Sequence, residues 1–195
     1  MARPYTRNMI REQFVAMLEE RPLDEITVTD LVARCEINRK TFYYYYQDVY
    51  AVLSEIFESE LEAVVRCTAD THRWEDGFIE AVRIAGEHRR AVYHVYHSMR
   101  REELERYLNA VAEKLMLRYV QHESEGIRVG EEDKRISAQF YQCAMTQMVM
   151  NWIGGGMKED GPALIRRIGA LFDGNIRLSL ERSADLPAPL WSGGQ

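Results

Sequence analysis

Cysteine is scarce in this chain. Cys35, Cys67 and Cys143 are odd in number and far apart, which argues against a disulfide framework or a metal knuckle and suits a reducing cytosol. Long apolar runs are missing too: none approaches the roughly 20 residues that a bilayer span requires. Residues 1–7 carry no apolar stretch behind their charges, so no secretory signal is expected and the protein is expected to be cytoplasmic. Sustained period-2 alternation with β-branched residues is absent, and with it the expectation of a sheet. There is no phosphate-cradling glycine loop, nucleophile elbow or zinc-protease motif, so neither an enzyme nor a bound cofactor is expected. Positive charge is also short. The formal net charge is −6, and residues 1–50 hold seven Arg/Lys against eight Asp/Glu. Nucleic acid, if bound, must be met by a small local patch rather than by a basic surface.

What is present is helical periodicity nearly throughout, in a chain of ordinary globular composition. Residues 6–20 place Ile10, Phe14, Met17 and Leu18 on one stripe of a first helix, which Pro22 ends. Thr27, three residues before Asp30, makes a capping-box-like start to a second helix whose inward residues are Val28, Leu31, Val32 and Cys35. Asn38 is a good N-cap for a short third helix over 39–46, and Asp48 can cap a fourth. Further helices are expected over 75–87, 90–99, 102–123, 131–153 and 162–181. Gly154-Gly155-Gly156 stops the eighth, and Gly161-Pro162 opens the ninth. The expected fold is all-α with about nine helices. Residues 1–50 form a three-helix helix-turn-helix domain, linked by the helix over 48–69 to a helical domain over 51–183. A flexible tail over 184–195 follows.

Two short helices about four residues apart, the first buried and the second rich in exposed polar and aromatic groups, describe a helix-turn-helix. At 100° per residue, Phe42 and Tyr46 share a face near Ile37 and would seat the third helix. Lys40 and Tyr44 then point the opposite way, with Thr41 and Tyr45 on one flank and Tyr43 on the other. Four consecutive tyrosines cover every side of a helix, so at least two phenols must face outward. A cation, a hydroxyl and phenols suit phosphate oxygens, thymine methyls and base edges in a major groove. The helix N-terminus at Asn38 and Arg39 adds backbone N–H groups for a phosphate. Arg3, Arg7 and Arg11 recur every four residues and line one side of the first helix, either as a solvated face or as an arm on the DNA backbone.

The run Ile26-Thr27-Val28-Thr29-Asp30-Leu31-Val32-Ala33, followed by Ile37-Asn38-Arg39-Lys40-Thr41-Phe42-Tyr43-Tyr44-Tyr45-Tyr46, resembles the DNA-binding signature of the tetracycline-repressor (TetR) family. The resemblance covers roughly residues 7–55. It implies nine or ten helices, a homodimer, and an inducer pocket in the C-terminal part. It further implies that Thr27 touches a phosphate, that Arg39, Lys40, Thr41 and Tyr44 face bases or adjacent phosphates, and that Tyr43 and Tyr45 hold the backbone. Asn38 and Arg7 complete the expected DNA-binding set. Two departures stand out: Glu36 occupies the usual turn glycine, and Val49 occupies a position where a phosphate-contacting lysine is common. Both weaken or narrow DNA binding. The region Trp152-Ile153-Gly154-Gly155 is, more loosely, similar to TetR-like regulators associated with dihydroxyacetone kinase.

The resemblance places an effector pocket among the aromatic, Met and His residues of the C-terminal domain: Tyr93, Tyr96, His97, Tyr107, Phe140, Tyr141, Met145, Met148 and Trp152. Plain core packing is the competing use of the same residues. His94 and His97 have a metal-compatible spacing but no carboxylate or thiol to complete a site, so no metal is expected. The last two helices are apolar on more than one side, which calls for core on one face and a second subunit on the other. Phe140, Ala144, Trp152, Leu164, Ile168, Leu171 and Phe172 are the expected dimer interface, and a two-fold dimer requires an operator with inverted symmetry. The leading expectation is thus a repressor that binds a palindromic operator as a homodimer and is released by a small-molecule effector. The second is a TetR-like co-regulator acting mainly through a protein partner, motivated by the acidic N-terminal part, Glu36 and Val49.

Overall fold

Apolar residues at three- and four-residue steps must be buried along one side of each helix, and helices that cover one another's stripes are the economical solution. The computed structural model, which describes residues 3–71, 73–183 and 186, has this form. Its helices are α1 (Arg3–Glu20), α2 (Val28–Arg34), α3 (Arg39–Tyr45), α4 (Val49–Cys67), α5 (Trp74–Glu87), α6 (Arg89–Tyr96), α7 (Arg101–Glu123), α8 (Glu131–Gly154), α9 (Gly161–Phe172) and α10 (Asn175–Ser183). A 3-10 turn, Leu23–Glu25, joins α1 to α2, and no strand occurs among the described residues. None of the described helices is long and apolar enough to cross a membrane. The tail expected to be loose, residues 184–195, lies outside the described residues apart from Leu186.

Helices α1 to α3 form a small head around Ile10, Phe14, Leu31 and Phe42, all fully buried, each burial contributing about 1.5–3 kcal/mol. The starts of α2, α3 and α4 are fixed by the side chains of Thr27, Asn38 and Asp48, which accept from backbone N–H groups three residues on. In the body, α7 and α8 pack along each other, α9 lies on α5, and α6 lies on α1. The α1–α6 contact joins head to body. There His94 Nδ1 donates to the Leu18 carbonyl at 2.6 Å, and the Met99 N–H donates to Asp24 at 3.2 Å. Nearby, the Arg100 guanidinium sits 4.3 Å from the centroid of the Tyr50 ring.

The last helix, expected to be continuous over 162–181, is divided. Asp173 leaves the helical region with ψ 131 and Gly174 takes φ +70, a left-handed conformation that glycine adopts without a Cβ clash. The break lets α10 fold back on α7 and α8, burying Ile176 and Leu180 while Arg177 donates to the Glu123 carbonyl at 3.2 Å. Ahead of α9, the turn 155–160 is closed by Trp152. Its indole N–H donates to the Glu159 carbonyl at 2.9 Å. Its ring lies so close to Gly161 that a Cβ there would sit 2.8 Å from it.

Candidate functional site

The α2–turn–α3 unit is built by three local devices. The Thr27 hydroxyl donates to the Asp30 carboxylate at 2.7 Å and accepts from the Asp30 N–H at 3.2 Å. That hydroxyl, followed by the Thr27 backbone N–H and the Arg21 charge, holds the Asp30 carboxyl below the ordinary range. Glu36 then takes φ +53, and the Ile37 N–H returns to the Val32 carbonyl at 3.0 Å. Finally the Asn38 side chain accepts from the Thr41 N–H at 2.8 Å and from the Thr41 hydroxyl at 3.1 Å. The turn residue expected to depart from the family pattern is thus the one whose backbone favours glycine.

On α3, Phe42 and Tyr46 are buried against the head and Ile37 is half-buried beside them. Lys40, Tyr43 and Tyr44 are exposed, while Thr41 and Tyr45 are half-buried on a flank. The rings brace one another: Phe42 and Tyr43 meet edge-on at 5.6 Å, Tyr44 and Tyr45 at 5.0 Å. Arg39 donates to the Thr29 hydroxyl at 2.5 Å, which ties α3 to α2 and holds its guanidinium at the edge of the exposed face. Burial pushes the Tyr46 phenol up to about 12, so it stays neutral beside Arg7 and Glu55.

Cations elsewhere in the head are spent internally. Arg34 makes a two-pronged pair with Glu20 at 2.6 and 2.7 Å, and Arg21 pairs with Asp30 at 3.4 Å. Arg7 turns toward α4 and meets Glu55 at 2.6 Å, with Arg11 3.6 Å from the same carboxylate. The arginine stripe of α1, open in the sequence between solvent and DNA, therefore faces α4. Arg7, its side chain 54% exposed, thus braces head to body where α1 and α4 pack together. The side chain of Arg3 lies outside the described residues. Among described side chains of the head, Arg39 and Lys40 are the cations without an ion pair, and both belong to α3. Val49, in place of a lysine, is 6% exposed and part of the core.

In the body, an apolar cavity of about 110 Å³ lies between α1, α4, α5, α6, α7 and α8. Of the nine residues expected to line an effector pocket, it is lined by Tyr107 alone. Phe140, Tyr141, Met145 and Met148 instead line a second apolar pocket, of about 170 Å³, with Ile168 and Phe172 of α9. Tyr93 and His97 meet at 4.3 Å with ring planes tilted by 53° on the outside of α6, and Tyr96 carries the Arg101 guanidinium at 4.4 Å. Trp152 is committed to its own turn, as described above. Among the cavity residues the sequence did not reveal are Val15 and Leu18 of α1, Glu60 of α4 and His88. One signal was available: Ile56, Glu60 and Val64 follow at four-residue steps, which puts a carboxylate on the inward stripe of α4. No group of three or more His, Cys, Asp or Glu suited to a metal occurs among the described residues.

The expected dimer interface divides in the same way. Phe140 is 68% exposed, Leu171 60% and Phe172 47%, with Ala144 exposed beside them. Leu164 is half-buried. Trp152 and Ile168 are buried within the subunit, because α9 folds onto α5 and the turn before it closes over the indole.

Comparison with known proteins gives a consistent picture. A family model, TetR_C_8, described as a transcriptional regulator C-terminal region, matches residues 72–174, just over half the chain. The HTH-type dhaKLM operon transcriptional activator DhaS of Lactococcus lactis subsp. lactis is 27% identical over 82 residues. That match spans 42% of this chain and 44% of the relative, less than half the length of either. Among solved structures, a dihydroxyacetone kinase operon activator DhaS superposes with a TM-score of 0.74 at 19% identity, covering 89% of this chain and 97% of the other. The fatty acid degradation regulator FadR from Bacillus halodurans gives a TM-score of 0.58 at 18% identity, covering 85% and 93%. At these identities the two structures establish the fold.

Proposed function

Because the chain belongs to the TetR family of transcriptional regulators, we propose that it reads an inverted-repeat operator as a homodimer, with α3 in the major groove of each half-site. The observation that carries this reading is the division of α3: Phe42 is buried behind it, while Lys40, Tyr43 and Tyr44 stand exposed. Lys40 and the backbone N–H groups at the Asn38 cap meet phosphates. Tyr44, Thr41 and Arg39 meet base edges or adjacent phosphates, while Tyr43, Tyr45 and Thr27 hold the backbone. The acidic remainder of the chain confines attraction to this patch, so binding is salt-sensitive with few phosphate contacts.

Residues 51–183 supply the second subunit's docking face, the exposed Phe140, Ala144, Leu171 and Phe172, and, with Val15 and Leu18 of α1, the effector cavity. Two-fold symmetry then sets the two α3 helices about 34–36 Å apart. An effector in the cavity presses on Val15 and Leu18 of α1 and changes that spacing, releasing the operator. The protein acts in the cytoplasm as a repressor on this reading. A second reading, activation, is favoured by the relative named a transcriptional activator, and would place the same dimer where bound DNA recruits a protein partner.

The test is a mobility-shift series across salt concentration on the DNA upstream of the chain's own gene. Specific retardation with a two-to-one stoichiometry, falling steeply with salt, supports the reading; no retardation at low salt overturns it. A reporter fused to the same DNA, with and without the protein, separates repression from activation by the sign of its change.

A further inference from the structure

Packing alone does not account for one wall of the apolar cavity. Glu60 sits on the inward stripe of α4 and lines the cavity, yet makes no hydrogen bond or ion pair among the described residues. Beside it Phe57 and Tyr107, both lining the cavity, stack with centroids 4.8 Å apart and planes 13° from parallel. Burial, followed by the Glu60 charge, raises the Tyr107 phenol, which therefore stays protonated. At Glu60 and His88 the cavity meets a polar groove of about 580 Å³ between α1 and α4, lined also by Arg11, Glu12 and Glu19. The groove sets three carboxylates against one guanidinium. That guanidinium already lies 3.6 Å from Glu55, and His88 Nδ1 lies 3.6 Å from Glu19.

Resting on the reading of this cavity as the effector site, the geometry points to an amphipathic organic cation as the effector. Its compact apolar body fills the cavity, and an ammonium head lies against Glu60 and the Phe57–Tyr107 stack. Glu60 is half-buried where the apolar cavity opens on the polar groove, and a cationic head placed there meets an opposite charge at the edge of its apolar body. Aromatic faces at the same point favour the cation further. An anionic head would meet Glu60 directly and Glu12 and Glu19 in the mouth, and is repelled. Since Val15 and Leu18 belong to the same wall, the bound body touches the DNA-reading head itself.

Three ligands with one apolar body test this by calorimetry on the full chain: 4-phenylbutylamine, 4-phenylbutanol and 4-phenylbutanoate. The amine binds about tenfold or more tighter than the alcohol, and the carboxylate binds weakest. Glu60→Gln removes the amine's advantage and leaves the alcohol within about twofold. Ala85→Phe, which fills the cavity, weakens amine and alcohol together. Equal or tighter binding of the alcohol or carboxylate, or no amine binding at millimolar concentration, overturns the inference. So does an undiminished amine affinity in E60Q. If the alcohol binds and A85F blocks it, the cavity stands as an effector site and only the cationic class falls. If A85F leaves every ligand's binding unchanged, the effector role of the cavity falls as well. The three-ligand comparison on the unaltered chain decides the charge preference without reliance on any variant's folding.

Discussion

The imidazole of His94 and the backbone carbonyl of Leu18 meet at 2.6 Å, joining α6 to the last turn of α1. A carbonyl oxygen can only accept, so Nδ1 carries the proton. Leu18 is also part of the cavity wall, so this contact lies between the apolar cavity and the head formed by α1 to α3. Replacing the imidazole leaves the Leu18 carbonyl without that donor. His94→Ala is expected to lower stability by about 1 kcal/mol, read by urea titration, and to blunt ligand-driven release more than operator affinity. Unchanged stability and unchanged release would show that the contact carries nothing.

Glu36 supplies a second prediction. Its φ of +53 places a side chain where the left-handed backbone costs about 1–2 kcal/mol. Glycine relieves that strain but gives up about 0.5–1 kcal/mol in the freedom of the unfolded chain. Glu36→Gly should therefore raise stability by up to about 1.5 kcal/mol, measured by denaturant midpoint. It also removes a carboxylate next to α3, so operator affinity should rise at low salt. A lower midpoint would contradict the strain argument.

On α3 itself, phosphate and base contacts separate by their dependence on sequence. Lys40→Ala should weaken binding evenly across operator variants and reduce the salt slope by about one ion. Tyr44→Ala should instead redistribute preference among variants at one position of each half-site, with a cost of about 1–3 kcal/mol on the best site. A binding-site selection experiment with both variants distinguishes the two. Identical profiles from both would place neither residue at a base.

The exposed apolar face of α8 and α9 leads to a prediction about assembly. Phe140 and Leu171 are mostly exposed in the single chain, an arrangement that apolar burial in a second subunit would relieve. Phe140→Glu combined with Leu171→Glu should leave a folded monomer by sedimentation and circular dichroism. Operator affinity should fall by at least tenfold, because a lone head reads one half-site. A dimer that persists with both glutamates would move the interface elsewhere.

Much of the architecture was legible before any coordinates. The capping pairs Thr27–Asp30 and Asn38–Thr41, the stop at the glycine run, the opening of α9 and the seat of Phe42 all follow from interactions within four residues along the chain. Those interactions depend on residue type and helical period alone. The all-α fold and the family were readable for the same reason. The division of α9 from α10 was not, since Gly174 inside an apolar pattern is tolerated in a continuous helix and breaks it only where the segment beyond has a better surface to cover.

What the sequence determined by itself was therefore local: where helices begin and end, which stripe of each turns inward, and which short helix presents Lys40 and its phenols. Tertiary structure decided everything that depends on how helices lie against one another. It turned Arg7 to Glu55, closed Trp152 over its own turn, and assigned Phe140 and Met148 to the α8–α9 surface. It also brought Val15, Leu18 and Glu60 around a common cavity. Helical period fixes a side chain's direction from its own axis, but only the docking of one axis on another fixes what it meets.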